Sequence, residues 1–127
     1  MAKEGNQKLK ILYLMNILLE KTDETHSISM SEIISSLKLQ GISAERKSIY
    51  NDIESLRSYG LDIVGEAEGK SFKYKVPSRK FELAELKLLV DSVQSAKFVT
   101  EKKSNELIKK IESLGSKYEA SQLQRQV

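Results

Sequence analysis

Between Leu9 and Leu19 the chain is dense in apolar residues, and Ile11, Leu12, Met15, Leu18 and Leu19 fall at i, i+1, i+4, i+7 and i+8. That spacing predicts an amphipathic helix over residues 7–21. Leu14 and Ile17 lie off this stripe and give the helix a second apolar side, so it should be buried between layers, with later helices or a partner subunit covering it. A polar stretch follows, residues 22–27, and Ser27-Ile28-Ser29 suits a very short strand. Ser29-Met30-Ser31-Glu32 has the spacing of a capping box. It opens a second helix that carries Ile33, Ile34 and Leu37 and stops at Gln40-Gly41.

The next periodic stretch organises the chain. Over residues 43–59, Ile49, Ile53 and Leu56 stack on one helical stripe, while Lys47, Asn51, Glu54 and Ser58 line the opposite one. One face is core and the other is offered outward, and Gly60 can take the left-handed conformation that ends a helix. Residues 62–66 and 71–76 then read as strands joined by Ala67-Glu68-Gly69-Lys70, with Leu61, Ile63, Phe72, Tyr74 and Val76 as candidates for one apolar face. A two-stranded ribbon is marginal alone, so this one must lean on the helices. Helix, turn, helix, hairpin is the order of a winged helix-turn-helix.

Pro77, the only proline, cannot continue a strand ladder and marks a boundary. Beyond it, residues 81–97 place Leu83, Leu86, Val90 and Val93 at helical spacing. Thr100 caps a further helix with Leu107, Ile108, Ile111 and Leu114 on its stripe and Gly115 as its stop. The tail, residues 116–127, is polar and helix-compatible. The fold class expected is therefore mainly α with a small antiparallel β-hairpin: a winged helix-turn-helix over residues 7–76, then a helical hairpin, with residues 81–127 as a linker or dimerisation segment.

Composition narrows the chemistry. At 127 residues, the chain suits small units whose function sits on a surface rather than in a deep cleft. With 21 Lys+Arg against 18 Asp+Glu the excess is mild, so any nucleic-acid face must come from local placement. The chain has no cysteine, which excludes disulfides and thiolate metal sites. The lone His26 sits in a polar loop and reads as a solvated side chain. No Gly-rich phosphate loop or paired histidines stand in the sequence, so neither an enzyme, a cofactor nor a metal site is expected. The apolar run near the N-terminus is interrupted by Lys10 and Asn16 and is too short to span a bilayer, and the first residues lack a secretory pattern. A cytoplasmic protein without a membrane partner is the expectation.

A winged helix binds duplex DNA by laying its second helix-turn-helix element in the major groove, where residues near the helix N-terminus read base edges. Here those are Ser43, Arg46, Lys47 and Ser48, then Tyr50 and Asn51. Lys47 can donate to guanine or phosphate, Asn51 can pair with adenine, and Ser43 and Ser48 suit phosphate oxygens. Arg46 lies nearer the core flank, which fits backbone clamping. Lys70 and Lys73 on the wing would lie over a neighbouring groove or phosphate run. The same helix is also readable as an ordinary solvated surface, because Arg46, Lys47 and Arg57 are matched by Glu45, Asp52 and Glu54. Tyr50 is equally readable as a half-buried packing residue.

The segment ISAERKSIYNDIESLRSYGLDI, the wing after it, and then FELAELKLLVDSVQSAKFVTEKKSNELIKKIESL and QLQRQV closely resemble the N-terminal part of bacterial WYL-domain transcriptional regulators. Their DNA-binding head is similar to the DeoR-type winged helix. The resemblance covers the chain after its first few residues. It implies a cytoplasmic transcription factor with recognition helix 43–59, in which Arg46, Lys47, Ser48 and Tyr50 fall where that family contacts DNA. Asn51 departs from the family, many of whose members have arginine before the pair that is Asp52-Ile53 here. The family's WYL domain would begin beyond Val127, so the chain is expected to be the DNA-binding part with its interdomain helices. The partners expected are double-stranded DNA and a second copy, bound through the helical segment 81–115. The rival reading is a winged helix used for protein contact, with Leu88, Leu89 and Val99 in an apolar patch on the helical hairpin.

Overall fold

The structure is a computed structural model that describes residues 2–127, with side chains from Gln7 onward. The chain divides into two compact units, the division falling between Pro77 and Ser78.

In the first unit, α1 (Ala2–Lys21) is followed by the short β1 (Ile28–Ser29), α2 (Met30–Leu39) and α3 (Arg46–Tyr59), and then by β2 (Val64–Glu68) and β3 (Ser71–Lys75). The three strands form an antiparallel sheet in the order β1-β3-β2. This is the topology of a winged helix-turn-helix, with a strand pairing the hairpin from the segment that precedes α2. Its core gathers Leu14, Leu18, Ile33, Leu37, Ile42, Ile49 and Ile53 with Tyr74 and Val76 of the sheet side.

Local chemistry sets the ends of α2 and α3. The Ser29 hydroxyl accepts from the Glu32 N–H at 3.2 Å and the Glu32 carboxylate accepts from the Ser29 N–H at 3.1 Å, closing the expected capping box. At the other end the Gly41 N–H reaches the Lys38 carbonyl and the Ile42 N–H the Leu37 carbonyl, both at 2.9 Å, with Gly41 at φ 78°. The same pair of bonds ends α3: Gly60, at φ 124°, donates to Arg57, and Leu61 donates to Leu56. Both are Schellman ends, in which the left-handed residue is glycine because a Cβ would be strained there.

Several boundaries differ from those read off the sequence. The helix expected over residues 43–59 begins at Arg46, leaving Ser43 in the preceding turn. The hairpin turn tightens to Gly69-Lys70, with Glu68 opposite Ser71 and only Gly69 at positive φ, the pattern of a type II′ turn. On α1 the buried positions are Lys10, Leu14, Ile17 and Leu18, whereas Leu12, expected in the core stripe, is half exposed. Apolar residues cover so much of that helix that spacing cannot choose its inward side. His26 does not simply face solvent either: its Nδ1 lies 2.8 Å from the carboxylate of the buried Asp23. Buried Thr22 fastens the end of the sheet, its hydroxyl donating to the Leu18 carbonyl at 2.6 Å and accepting from the Val76 N–H at 2.9 Å.

The second unit holds α4 (Leu83–Ser95), α5 (Glu101–Glu112) and α6 (Lys117–Gln126) around Leu86, Val90, Ile108 and Leu123. The expected helical hairpin is thus completed by the polar tail, which packs as a third helix through Leu123. Gly115 does not stop α5 by a left-handed turn, since α5 ends at Glu112 and Gly115 is not at positive φ. A Cβ there would lie 2.9 Å from the Glu119 carboxylate and 3.3 Å from Leu86, so its role is close approach. Among the described residues no helix is long and apolar enough to cross a membrane.

Candidate nucleic-acid interface

Helix α3 presents four different sides. Ile49, Ile53 and Leu56 are buried in the core. On one flank are Ser48 and Asp52, four residues apart, both turned toward α1: the Lys10 ammonium donates to the Ser48 hydroxyl at 2.7 Å and forms an ion pair with Asp52. On the other flank are Arg46, Tyr50, Glu54 and Arg57. The fourth side, opposite the core, carries Lys47, Asn51, Ser55 and Ser58, all exposed.

The flank with Arg46 borders the sheet, and the Tyr74 hydroxyl reports this. Burial pushes the Tyr74 phenol above its ordinary value; Tyr50 and Glu54 add to the rise, and Arg57 and Arg46 oppose it. The whole stripe of α3 therefore acts on one phenol of β3. Arg57 ties this flank to the segment before β2 by donating from Nε to the Ile63 carbonyl at 3.0 Å while pairing with Glu54. Phe72, two residues along β3 on the same sheet face, meets Tyr74 edge-on with ring centroids 5.3 Å apart. It stays 51 % exposed and leans over Gly65, where a Cβ would come within 2.7 Å of the ring. Glycine at the second position of β2 makes the room for it.

The residues singled out from sequence are thus distributed unevenly. Arg46, Lys47, Tyr50 and Asn51 share one continuous exposed surface of α3, and Tyr50, at 46 % exposure, is not buried in packing. Ser48 is held inward by Lys10. Ser43 lies exposed in the turn before α3, and its carbonyl accepts from Gln7 Nε2 at 2.9 Å. Lys70 is exposed at the tip of the wing. Lys73 alternates onto the sheet face away from Tyr74. It stands opposite Glu66 and Ser29 in the register and helps hold the Glu32 carboxyl below its ordinary value, a shift due first to the Ser29 hydrogen bonds.

No family model matches the chain. No curated protein and no solved structure matches it either. The chemistry of the surface therefore has to be argued from its own residues.

Charge placement separates what composition had cancelled. Of the acids on α3, Asp52 is paired by Lys10 and Glu54 by Arg57, which leaves only Glu45 beside the basic start of the helix. Among the described residues, neither Arg46 nor Lys47 has a salt-bridge partner, and the Asn51 amide and Tyr50 hydroxyl have no hydrogen-bond partner. Glu45 precedes the helix without capping it, and the first turn contains no acid. The first N–H groups of α3 thus take no side-chain cap, and Glu45 is the one acid beside them. Such a surface can take an anion together with a planar donor-acceptor edge. Among the described residues no cluster of His, Asp or Glu could hold a metal ion.

Phe72, Gln7 and Lys10 were not among the residues sequence reasoning brought to this site. Gly65 inside a strand signals close approach and could have pointed to Phe72. No local pattern links Lys10 to a helix that starts thirty-six positions later.

Proposed function

We propose that residues 7–76 bind duplex DNA sequence-specifically and serve in transcription regulation, as in the N-terminal part of the WYL-domain regulators that the sequence resembles. In this reading α3 lies in the major groove, with Lys47 and Asn51 directed at base edges. Arg46 and Tyr50, on the flank beside the sheet, take the phosphate backbone that runs between the groove and the wing. Lys70 at the wing tip lies over the adjacent backbone. The observation that carries the reading is the exposed, unpartnered set Arg46, Lys47, Tyr50 and Asn51 on one helix, next to a β-hairpin, with Asp52 drawn to Lys10 and Glu54 paired with Arg57.

The test is fluorescence anisotropy with a random duplex pool, followed by selection of bound sequences. Affinity should fall steeply with salt, because each neutralised phosphate releases counterions. Lys47→Ala and Asn51→Ala should reduce preference for the selected sequence more than affinity for random duplex. Arg46→Ala should weaken both and lower the salt slope by about one. A flat salt dependence would mean that DNA is not the ligand.

Protein contact is the second reading, and exposed apolar residues of the second unit favour it there. Leu88 is 66 % exposed on α4 and Phe98 is fully exposed in the α4–α5 loop. Sedimentation of the chain before and after Leu88→Glu and Phe98→Glu reads whether the segment 81–115 joins two copies, an arrangement that would set two heads on two half-sites.

A further inference from the structure

Lys10 is a buried charge that the exposed face of α3 does not use. It is only 6 % exposed, on the N-terminal half of α1, and reaches across to two residues of α3 that are one turn apart. Three positions earlier on α1, Gln7 holds the Ser43 carbonyl in the turn that leads into α3. A lysine that gives up its hydration to sit under a helix fixes more than the packing, because a charge pair has one good geometry where an apolar contact has many. Ser48 and Asp52 occupy the flank opposite Arg46 and Tyr50, so the Lys10 contacts and the Arg57–Ile63 bond grip α3 from opposite sides of its core stripe. Turning α3 about its axis by one residue would exchange Lys47 for Ser48 on its outward side.

We propose that Lys10 is a positioning residue for DNA recognition: by holding Ser48 and Asp52 it sets the rotation of α3, and it withdraws the Asp52 charge from a surface that must face phosphates. This rests on the duplex-DNA reading above. Ser48 accordingly acts through Lys10 rather than on DNA.

The experiment compares the wild-type chain with Lys10→Met, Lys10→Arg, Ser48→Ala and Lys10→Met/Asp52→Asn. Anisotropy is read on the duplex selected by the wild type and on random duplex, each across a salt series, with circular dichroism as the folding control. Misaligned base contacts are equivalent to about one mismatched base pair, so Lys10→Met should lower the preference for the selected duplex by roughly tenfold. Its salt slope should stay at the wild-type value, since no phosphate contact is lost. Lys10→Arg should restore most of the preference. Lys10→Met, which leaves the Asp52 carboxylate unpaired, should also weaken binding to random duplex; in the double variant that affinity should recover while preference stays low. Ser48→Ala removes one hydrogen bond and should lower preference by about threefold. If Lys10→Met does not fold, Ser48→Ala decides alone, and wild-type preference in it overturns the proposal. Preference at the wild-type level in Lys10→Met and Ser48→Ala overturns the proposal, and so does a salt slope reduced by about one, which would make Lys10 a phosphate ligand. A wild-type chain that binds no duplex removes the DNA reading itself, an outcome visible before any variant is made.

Discussion

The helices of the second unit and helix α3 of the first begin in opposite ways. Helix α6 starts in a capping box, with Ser116 and Glu119 exchanging bonds of 3.1 and 2.9 Å. Helix α5 is capped by Thr100, and α4 starts with the Glu85 carboxylate on the Glu82 N–H at 2.8 Å. Each of the three has an acid in its first turn. Helix α3 has neither cap nor acid, and its first two residues are Arg46 and Lys47. A missing cap costs about 1 kcal/mol and cations at a helix start cost a few tenths more, so α3 is placed where its own sequence disfavours it. What holds it comes from elsewhere: Lys10 and Gln7 of α1, the sheet, and the core. Helix ends that local residues satisfy are structural. The start of α3 is instead secured from outside: its N–H groups take no side-chain cap, and Arg46 and Lys47 take no salt bridge among the described residues.

The strongest way to sharpen this contrast is to remove the tertiary support of a self-capped helix. Leu123 is the one buried residue within α6, and Leu123→Ala should cost about 3 kcal/mol by leaving a cavity. Hydrogen exchange should then show amides of residues 117–126 losing protection while those of α3 keep theirs. Equal loss in both would mean that the units unfold as one. Next in size is the polar anchor under the sheet. Thr22→Val keeps the shape and strips the Val76 N–H of its hydroxyl acceptor, at a cost of about 2 kcal/mol in a urea titration. An unchanged midpoint would show that the first unit does not depend on bonds between distant elements.

Much of the frame was legible because its signals are local. Ser29 with Glu32, Gly41, Gly60 and the Gly69 turn each fix a boundary within a few residues of themselves, and the structure has all four. The inward side of α1 was not legible, because Leu12 and Leu14 are equally apolar and the choice depends on contacts made across the fold. The candidate surface was legible to the extent that it follows from periodicity on α3: Lys47, Asn51 and Ser58 lie where the wheel placed them, while Glu54 lies on the flank with Tyr50 and pairs with Arg57. The inward turn of Ser48, the burial of Lys10 and the placing of Lys73 beside Glu66 and Glu32 depend on partners far along the chain. A single leucine in a polar tail was likewise too weak a pattern to show that α6 packs.

A smaller effect reads one local cap directly. Hydrogen bonds from Ser29 hold the Glu32 carboxyl below its ordinary value of 4.5, and Lys73 and Lys21 add to this. A depressed carboxyl stabilises the fold fully above its unfolded value, and that contribution disappears as pH falls through the lower, folded one. The stability of the first unit should therefore decline below pH 4.5. Glu32→Gln should flatten that part of the profile and lower stability at neutral pH by about 1 kcal/mol, the usual size of a cap. A variant that keeps the wild-type acid profile would assign the decline to other carboxyls.

The smallest expected effect tests the contrast most directly. Glu45 stands at the N-cap position of α3 in extended backbone but makes no side-chain cap bond. Glu45→Asp keeps the charge and shortens the side chain to one that can accept from the first free N–H groups, so α3 should gain about 0.5–1 kcal/mol. If those groups serve only the helix, the gain in stability will come with unchanged affinity for duplex. If they are held open for phosphate, the same substitution will raise the melting temperature and weaken binding together, because a cap and a phosphate compete for the same donors. The second outcome is the one expected, and a more stable chain that binds duplex equally well would show that the open start of α3 is incidental.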